Sequence, residues 1–180
     1  MPTIVVPYRA DAKRRLSPSL RAAAAVAMLG DVVEAASAVG HVVVVTDDSG
    51  VVPPGAEATP DPGGGLGAAV AAGLANVEGH ALVVNADLPC ATSAAIVSLL
   101  EAGLALVAAA DGTTNALSLP TREAFTPLYG PGSAARFRAH APFVTVAIPE
   151  LELDIDVDED LDRLLLDVGP RTRALLAVHV

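Results

Sequence analysis

The sequence predicts an α/β fold, a three-layer sandwich in which helices cover both faces of a mostly parallel sheet. Two observations support this prediction. Short apolar runs that suit strands alternate along the chain with longer segments of helical pattern. The runs are also continuously apolar, as in strands buried on both faces, instead of alternating between apolar and polar residues. The chain has 180 residues and shows no linker or repeat, so we expect a single domain over residues 1–180.

The first half of the chain contains three clear strand signals. TIVVP at residues 3–7, HVVVVT at 41–46 and ALVVNA at 81–86 are short apolar runs rich in Val. Between them, an alanine-rich stretch at 19–39 and a second at 65–77 have the composition and spacing of helices. Each predicted helix thus connects two predicted strands, which is the pattern of a parallel sheet.

The second half continues the alternation less regularly. Thr92 is a suitable N-cap for a helix that reaches about residue 102, and a strand at 104–110 follows. Further strands are predicted at 115–120, 143–149 and 151–156. Further helices are predicted at 132–141, at 158–167 and after Pro170.

Composition and charge exclude several classes of function. The net charge of −10 argues against a nucleic-acid or anionic-membrane surface, since both require a basic face. A single cysteine excludes a disulfide framework and suits a reducing compartment. The N-terminal segment lacks the charge order of a secretory signal, and no apolar segment is long enough to span a bilayer. We therefore expect a cytoplasmic protein that binds neither nucleic acid nor membrane.

Asp87 marks a candidate site at the end of a predicted strand. It follows the apolar run at 81–84, and Pro89 takes the chain out of the sheet directly afterwards. In an open parallel sheet, ligands bind beyond the carboxyl ends of the strands. The alternative is that Asp87 only forms a turn or caps a helix.

A second acidic site lies near the C-terminus. Asp154 and Asp156 are two residues apart in a segment predicted to be extended, so their side chains point to the same face. Two carboxylates on one face repel each other unless a cation lies between them. Because no His or Cys is nearby, the oxygen ligands favour Mg²⁺ over zinc. Residues 158–160, by contrast, are expected only to begin a helix, where acidic side chains suit the helix dipole.

Basic residues and glycines suggest where phosphates would bind. Arg9, Lys13, Arg14 and Arg15 are four of the 11 basic residues and follow the first strand closely, a cluster typical of a polyphosphate site. The alternative is a solvated loop that leads into a helix. Three loops lack bulky side chains or offer hydroxyls: PDPGGGLGAA, DGTTN and YGPGS. The first matches the dinucleotide fingerprint only formally, because prolines interrupt its lead-in. The last precedes a predicted helix, whose N-terminus suits an anion.

Six motifs in series resemble those of a known family. AKRRL, PDPGGGL, ADLP, GTTNAL, YGPGS and LDIDVDEDL occur in this order, and the resemblance runs from about residue 3 to residue 164. The chain is similar in them to the guanylyltransferases of deazaflavin coenzyme (coenzyme F-420) biosynthesis. That resemblance implies a nucleotidyltransferase fold related to the molybdenum-cofactor guanylyltransferases. It also implies transfer from GTP to phosphoenolpyruvate or 2-phospho-L-lactate, with release of pyrophosphate.

The resemblance also implies roles for individual residues. Asp87, Asp154 and Asp156 would be the ligands of Mg²⁺. Lys13 would act with Asp87 in catalysis and meet the GTP phosphates. Arg9 and the glycine loop at Gly64, Gly65 and Leu66 would bind the nucleotide, and Thr114, Gly130 and Ser133 would bind the acceptor.

Two alternative functions remain open from the sequence. One is a related transferase that uses another nucleotide or acceptor. The molybdenum branch itself normally opens with the motif LAGGxSxRMG, which this chain does not contain. The other is a nucleotide-binding module of the same fold without turnover, against which the presence of all three aspartates argues. Cys90 is near Asp87, but no motif supplies a base for a cysteine nucleophile.

Overall fold

A single mixed sheet organises the computed structural model, which describes residues 1–9, 18–155 and 167–179. The strands are β1 Thr3–Pro7, β2 His41–Thr46, β3 Glu57–Pro60, β4 Ala81–Val84, β5 Ala105–Ala108, β6 Thr114–Leu119 and β7 Val144–Thr145. Their order across the sheet is β3-β2-β1-β4-β6-β5-β7. Only β6 is antiparallel to its neighbours, β4 and β5. The prediction of a mostly parallel sheet is therefore confirmed.

Six helices accompany the sheet in the described part of the chain. They are α1 Pro18–Ser37, α2 Leu66–Leu74, α3 Ser93–Glu101, α4 Ser133–His140, α5 Pro149–Glu152 and α6 Pro170–His179. None of them is long and apolar enough to cross a membrane, considering only these residues. The oxygen of Thr92 accepts the N–H of Ala95, so the predicted cap of α3 is confirmed.

Successive residues of each central strand face opposite layers of the core. In β1, Ile4 and Val6 pack in one apolar cluster with side chains of α1, α3 and α5. Val5, between them, packs in a second cluster with α2 and α4. The aromatic side chain of Phe137 is fully buried in that second cluster. The sheet is thus covered on both faces, as the three-layer prediction requires.

The C-terminal helix is fixed to α1 through a buried carboxylate. Asp31 is only 3% exposed and accepts the backbone N–H groups of Arg171 and Thr172, both at 2.9 Å. These are N–H groups of the first turn of α6, which have no partner within the helix itself. Asp31 therefore caps α6 from a neighbouring helix.

Three sequence predictions about secondary structure need correction. Strand β3 was not predicted, because Pro60 and its proline neighbours disfavour a strand; at the sheet edge, however, a proline is tolerated. The segment 143–149 is a strand only at Val144–Thr145. The segment 151–156 was predicted to be extended, but its first two residues close the short helix α5, which Pro149 begins. The helix predicted at 158–167 falls almost entirely outside the described residues.

Candidate active site

The antiparallel strand β6 brings two predicted site segments to one edge of the sheet. Because β6 runs opposite to β4, its first residues lie beside the carboxyl end of β4. The backbone N–H of Asn85, directly after β4, donates to the carbonyl oxygen of Asn115 at 3.0 Å. The side-chain amide of Asn85 donates to the carbonyl oxygen of Thr114 at 3.2 Å. The segment leading to Asp87 is thereby held against the start of β6.

The two acidic segments meet at this edge. The backbone N–H of Ile155 donates to the carbonyl oxygen of Asp87 at 3.2 Å. Asp154, the preceding residue, therefore lies next to Asp87 although the two are far apart in the sequence. Both residues are half-buried. The predicted third carboxylate, Asp156, lies outside the described residues, as does Lys13.

Asn115 holds the second acidic segment in place. This side chain is 2% exposed, and its amide nitrogen lies 3.2 Å from the carbonyl oxygen of Leu151 and 3.0 Å from that of Glu152. The same nitrogen is 3.5 Å from a carboxylate oxygen of Asp154. Asn115 thus binds the end of α5 and contacts the carboxylate itself. Its role was missed in the sequence, where an asparagine within a predicted strand was the only signal.

Two carboxylates and an oxygen-rich surrounding suit a hard divalent cation such as Mg²⁺. Within residues 1–9, 18–155 and 167–179, no group of three His, Cys, Asp or Glu side chains is arranged to hold a metal ion. Asp87 and Asp154 are two carboxylates of the kind that Mg²⁺ prefers. Asn85 adds a buried amide oxygen for which the described part of the chain offers no hydrogen-bond partner. The donor set that is present therefore fits Mg²⁺ better than zinc.

Thr114 and Ser133, both predicted to bind the acceptor, are in direct contact. Their hydroxyl oxygens are 2.9 Å apart, and both residues are almost fully buried. Thr113, the other hydroxyl of this loop, donates instead to the carboxylate of Asp111 at 2.6 Å. This hydrogen bond is the main reason why the pKa of Asp111 is lowered. Thr114, and not Thr113, is therefore the threonine paired with Ser133.

Gly130 lies on the loop that leads into Ser133. The N–H of Ser133 donates to the carbonyl oxygen of Gly130 at 3.0 Å, and α4 begins at Ser133. Gly130 and Gly132 have φ angles of 115° and 70°, which favour glycine strongly over other residues. The predicted acceptor residues Thr114, Gly130 and Ser133 therefore form one contiguous group.

The glycine loop before α2 has a backbone that other residues adopt only with strain. Gly63, Gly64 and Gly65 have φ angles of 77°, 87° and 94°. The carboxylate of Asp61 accepts the N–H of Gly63 at 2.8 Å and lies 3.8 Å from the guanidinium of Arg9. Arg9 is thus joined to the loop that holds the other predicted nucleotide residues, Gly64, Gly65 and Leu66.

Two cavities border this loop. One, of about 180 Å³, is lined by Arg9, Leu66, Asn85 and Asp87 among others. The other, of about 630 Å³, lies between the glycine loop and the segment from Pro127 to Gly130. One cavity thus joins the loop to Asp87, and the other joins it to the predicted acceptor loop. Predicted nucleotide and acceptor residues are therefore neighbours in space.

Cys90 is not placed for nucleophilic chemistry. It is 1% exposed, and burial is the main cause that raises the pKa of its thiol to about 11. At neutral pH such a thiol is protonated and unreactive. This agrees with the expectation from the sequence that no base accompanies it.

Comparison with known proteins identifies the family. The model of the MobA-like NTP transferase domain matches residues 19–143. This chain belongs to the MobA-like NTP transferases. A phosphoenolpyruvate guanylyltransferase of Streptomyces coelicolor is 38% identical over 97% of the chain and 95% of its own length. A 2-phospho-L-lactate guanylyltransferase of Natrialba magadii is 36% identical over 63% of the chain and 60% of its own length.

Structural comparison agrees on the fold. A nucleotidyl transferase from Methanothermobacter thermautotroptrophicus superimposes with a TM-score of 0.65 at 16% identity, covering 99% of both chains. The fold of the MobA-like NTP transferases, predicted from the sequence motifs, is therefore confirmed, as is the resemblance to guanylyltransferases. The chain is accordingly a nucleotidyltransferase enzyme.

Proposed function

We propose that this MobA-like NTP transferase joins the guanylyl group of GTP to phosphoenolpyruvate and releases pyrophosphate, as a step of coenzyme F-420 biosynthesis. The relative with 38% identity over nearly the whole chain carries the name of this activity. 2-Phospho-L-lactate is the second candidate acceptor, after the relative from Natrialba magadii. Either acid presents a phosphate and a carboxylate on adjacent atoms, so one site can accept both.

The observation that carries this proposal is the proximity of an acidic pair to a buried hydroxyl pair. Asp87, in the loop after β4, lies beside Asp154, in the segment after α5. Thr114 and Ser133 lie together at the start of β6 and α4. Asn85 joins the two pairs, because its side chain binds Thr114 and Asp87 follows two residues later. An anionic acceptor held by the hydroxyl pair would therefore have its reacting phosphate close to the carboxylates.

The reaction needs alignment more than proton transfer. The second pKa of a phosphate monoester is about 6, so the acceptor phosphate is already a dianion at neutral pH and needs no general base. One of its oxygens attacks the α-phosphorus of GTP. The bond from that phosphorus to the β-phosphate oxygen breaks, and pyrophosphate leaves with the electron pair. No histidine or cysteine is required, which agrees with a buried, protonated Cys90.

Different segments of the chain would bind the metal ion and the nucleotide. Asp87, Asp154 and Asp156 would hold Mg²⁺, which when bound neutralises charge on the α-phosphate and the leaving pyrophosphate. The backbone of Gly64, Gly65 and Leu66 would lie against the nucleotide.

The basic residues after β1 would contact the nucleotide phosphates. Lys13 would do so directly, as the only lysine of the chain. Arg9 would act from the side of the glycine loop, because its guanidinium is paired with Asp61 there. Its contact with the phosphates therefore depends on that loop being ordered.

The experiment that tests the proposal measures pyrophosphate release from each of GTP, ATP, CTP and UTP. Each nucleotide is combined with phosphoenolpyruvate, 2-phospho-L-lactate or 3-phosphoglycerate, and reactions without acceptor serve as controls. We expect GTP with phosphoenolpyruvate to give the highest kcat/KM, and mass spectrometry to identify the guanylylated acid. A clear preference for another nucleotide, or for phosphoglycerate, would contradict the proposal. No turnover with any pair would favour a non-catalytic binding module.

A further inference from the structure

Arg136 makes an unusual set of contacts beside the predicted acceptor residues. It lies on α4, one turn after Ser133, and its side chain folds back over the loop that precedes the helix. The guanidinium donates two hydrogen bonds to the carbonyl oxygen of Leu128, at 3.1 and 2.8 Å. It donates a third to the carbonyl oxygen of Tyr129 at 3.0 Å and a fourth to that of Pro131 at 2.5 Å. One guanidinium thus binds three carbonyl oxygens of a single loop.

These contacts determine where the N–H groups of the loop point. In a planar trans peptide, the C=O and the N–H of the following residue point in opposite directions. When the carbonyl of Tyr129 faces the guanidinium, the N–H of Gly130 therefore faces away from it. The same holds for the carbonyl of Pro131 and the N–H of Gly132. Arg136 thus keeps these amide donors on the side of the loop opposite its guanidinium, where they can bind an anion.

The guanidinium lies close to Gly130 itself. A Cβ atom added at Gly130 would be 3.4 Å from an Nη atom of Arg136. Because Gly130 also has a φ of 115°, its backbone conformation is one that other residues rarely adopt. Without a cation between them, three carbonyl oxygens on one side of such a loop would repel each other. The positive charge of Arg136 offsets this repulsion, and its planar guanidinium can bind all three carbonyl oxygens at once.

The geometry also distinguishes positioning from direct binding. A guanidinium has five N–H donors. Four hydrogen bonds from Arg136 go to loop carbonyls. Most of its hydrogen-bond donors are therefore bound to the protein and are not available to a substrate. A lysine has the same charge but lacks the planar fork and cannot reproduce this pattern.

We propose that Arg136 is a positioning residue of the acceptor site, which orients the backbone N–H groups of Tyr129, Gly130 and Gly132 toward the anionic acid. This inference rests on the proposed function, because it takes the Gly130 loop as the acceptor site. It adds a residue that does not touch the substrate but determines its affinity. The expected signature is a change in acceptor KM with GTP KM retained.

The test compares R136K and R136A with matched variants of Arg138. Arg138 is on the same helix and is exposed too, but its guanidinium binds the hydroxyl of Thr145 at 3.0 Å, away from the loop. We expect both Arg136 variants to raise the KM of phosphoenolpyruvate about tenfold or more, the loss expected for charge-assisted hydrogen bonds. GTP KM should stay within about twofold, and R138K and R138A should leave both constants unchanged within about twofold. Free guanidinium ion should partly restore the acceptor KM of R136A.

A second measurement does not depend on turnover. Hydrogen–deuterium exchange of the peptide containing residues 128–135, in which the N–H groups of Leu128, Ser133 and Ala134 are hydrogen-bonded, should be faster in R136K than in the native protein, and unchanged in R138K. Unchanged exchange together with an unchanged acceptor KM would overturn the inference. A parallel rise of both KM values with a lower Tm would overturn it as well, because it would show a general structural role. If the native protein itself releases no pyrophosphate but the exchange difference is found, the proposed function fails while the positioning of this loop by Arg136 stands.

Discussion

Ile155 donates its backbone N–H to the carbonyl oxygen of Asp87 over 3.2 Å. This contact joins the loop after β4 to the segment that follows α5, and it places Asp154 beside Asp87. Further along the same two segments, the N–H of Gly169 donates to the carbonyl oxygen of Pro89 at 2.8 Å. The loop after β4 is therefore bound by the C-terminal part of the chain at two points. Its carboxylate is held on a fixed backbone, which suits a metal ligand.

The first prediction concerns Asp87. Asp87→Asn keeps the shape of the side chain but removes its negative charge. We expect pyrophosphate release to fall at least about a hundredfold, because the variant cannot hold a cation against the phosphates. The same loss should follow when EDTA is added to the native enzyme, and Mg²⁺ should reverse it.

The matched control is Asp47→Asn. Asp47 is an exposed carboxylate that follows β2 at the same edge of the sheet. This variant should keep its activity within about twofold. Full activity of the native enzyme in EDTA, or of Asp87→Asn, would contradict the metal assignment.

The second prediction concerns Asn115. Asn115→Asp replaces the amide donor by a carboxylate that faces the carbonyl oxygens of Leu151 and Glu152. We expect the free energy of unfolding to fall by about 3 kcal/mol, because two acceptors lose their donor and a charge is buried. Urea denaturation followed by circular dichroism measures this change. Asn76→Asp, at an exposed position, should change the free energy by less than about 0.5 kcal/mol.

The sequence predicted local features better than it predicted the contacts between distant segments. The helix cap Thr92 is confirmed, and Asp87 lies after strand β4 as predicted, because the signals of a helix start and a strand end are local. Asn115 and Arg136 were not assigned roles, because each acts on residues brought near only by the fold. Strand β3 was missed for a similar reason, since Pro60 is acceptable only because β3 is at the edge of the sheet.

The third prediction concerns Cys90 and pH. Burial raises the pKa of its thiol from 9.0 to about 11. Between these two values the unfolded chain loses its thiol proton and the folded chain keeps it, so deprotonation favours unfolding. This contribution of Cys90 is present in full below pH 9 and is lost as the pH rises through about 11. Cys90→Ala should therefore lose less stability than the native protein over this range, as measured by denaturation at each pH.

Activity provides a second check on the same variant. If Cys90 takes no part in the chemistry, Cys90→Ala should retain kcat within about threefold. A loss of kcat by several orders of magnitude, with an unchanged Tm, would instead indicate a covalent intermediate on the thiol.

The last prediction concerns Ser133, whose hydroxyl is 2.9 Å from that of Thr114. Ser133→Ala should raise the KM of phosphoenolpyruvate more than the KM of GTP, because the proposed acceptor site includes this hydroxyl pair. It should also lower stability by about 1–2 kcal/mol, since the buried hydroxyl of Thr114 loses its partner. Ser118→Ala is a matched control: Ser118 is a fully buried serine on β6 whose hydroxyl is 2.8 Å from a ring nitrogen of His80. It should lower stability by a similar amount and leave both KM values unchanged. If Ser133→Ala alters only the KM of GTP, the acceptor lies elsewhere in the cleft.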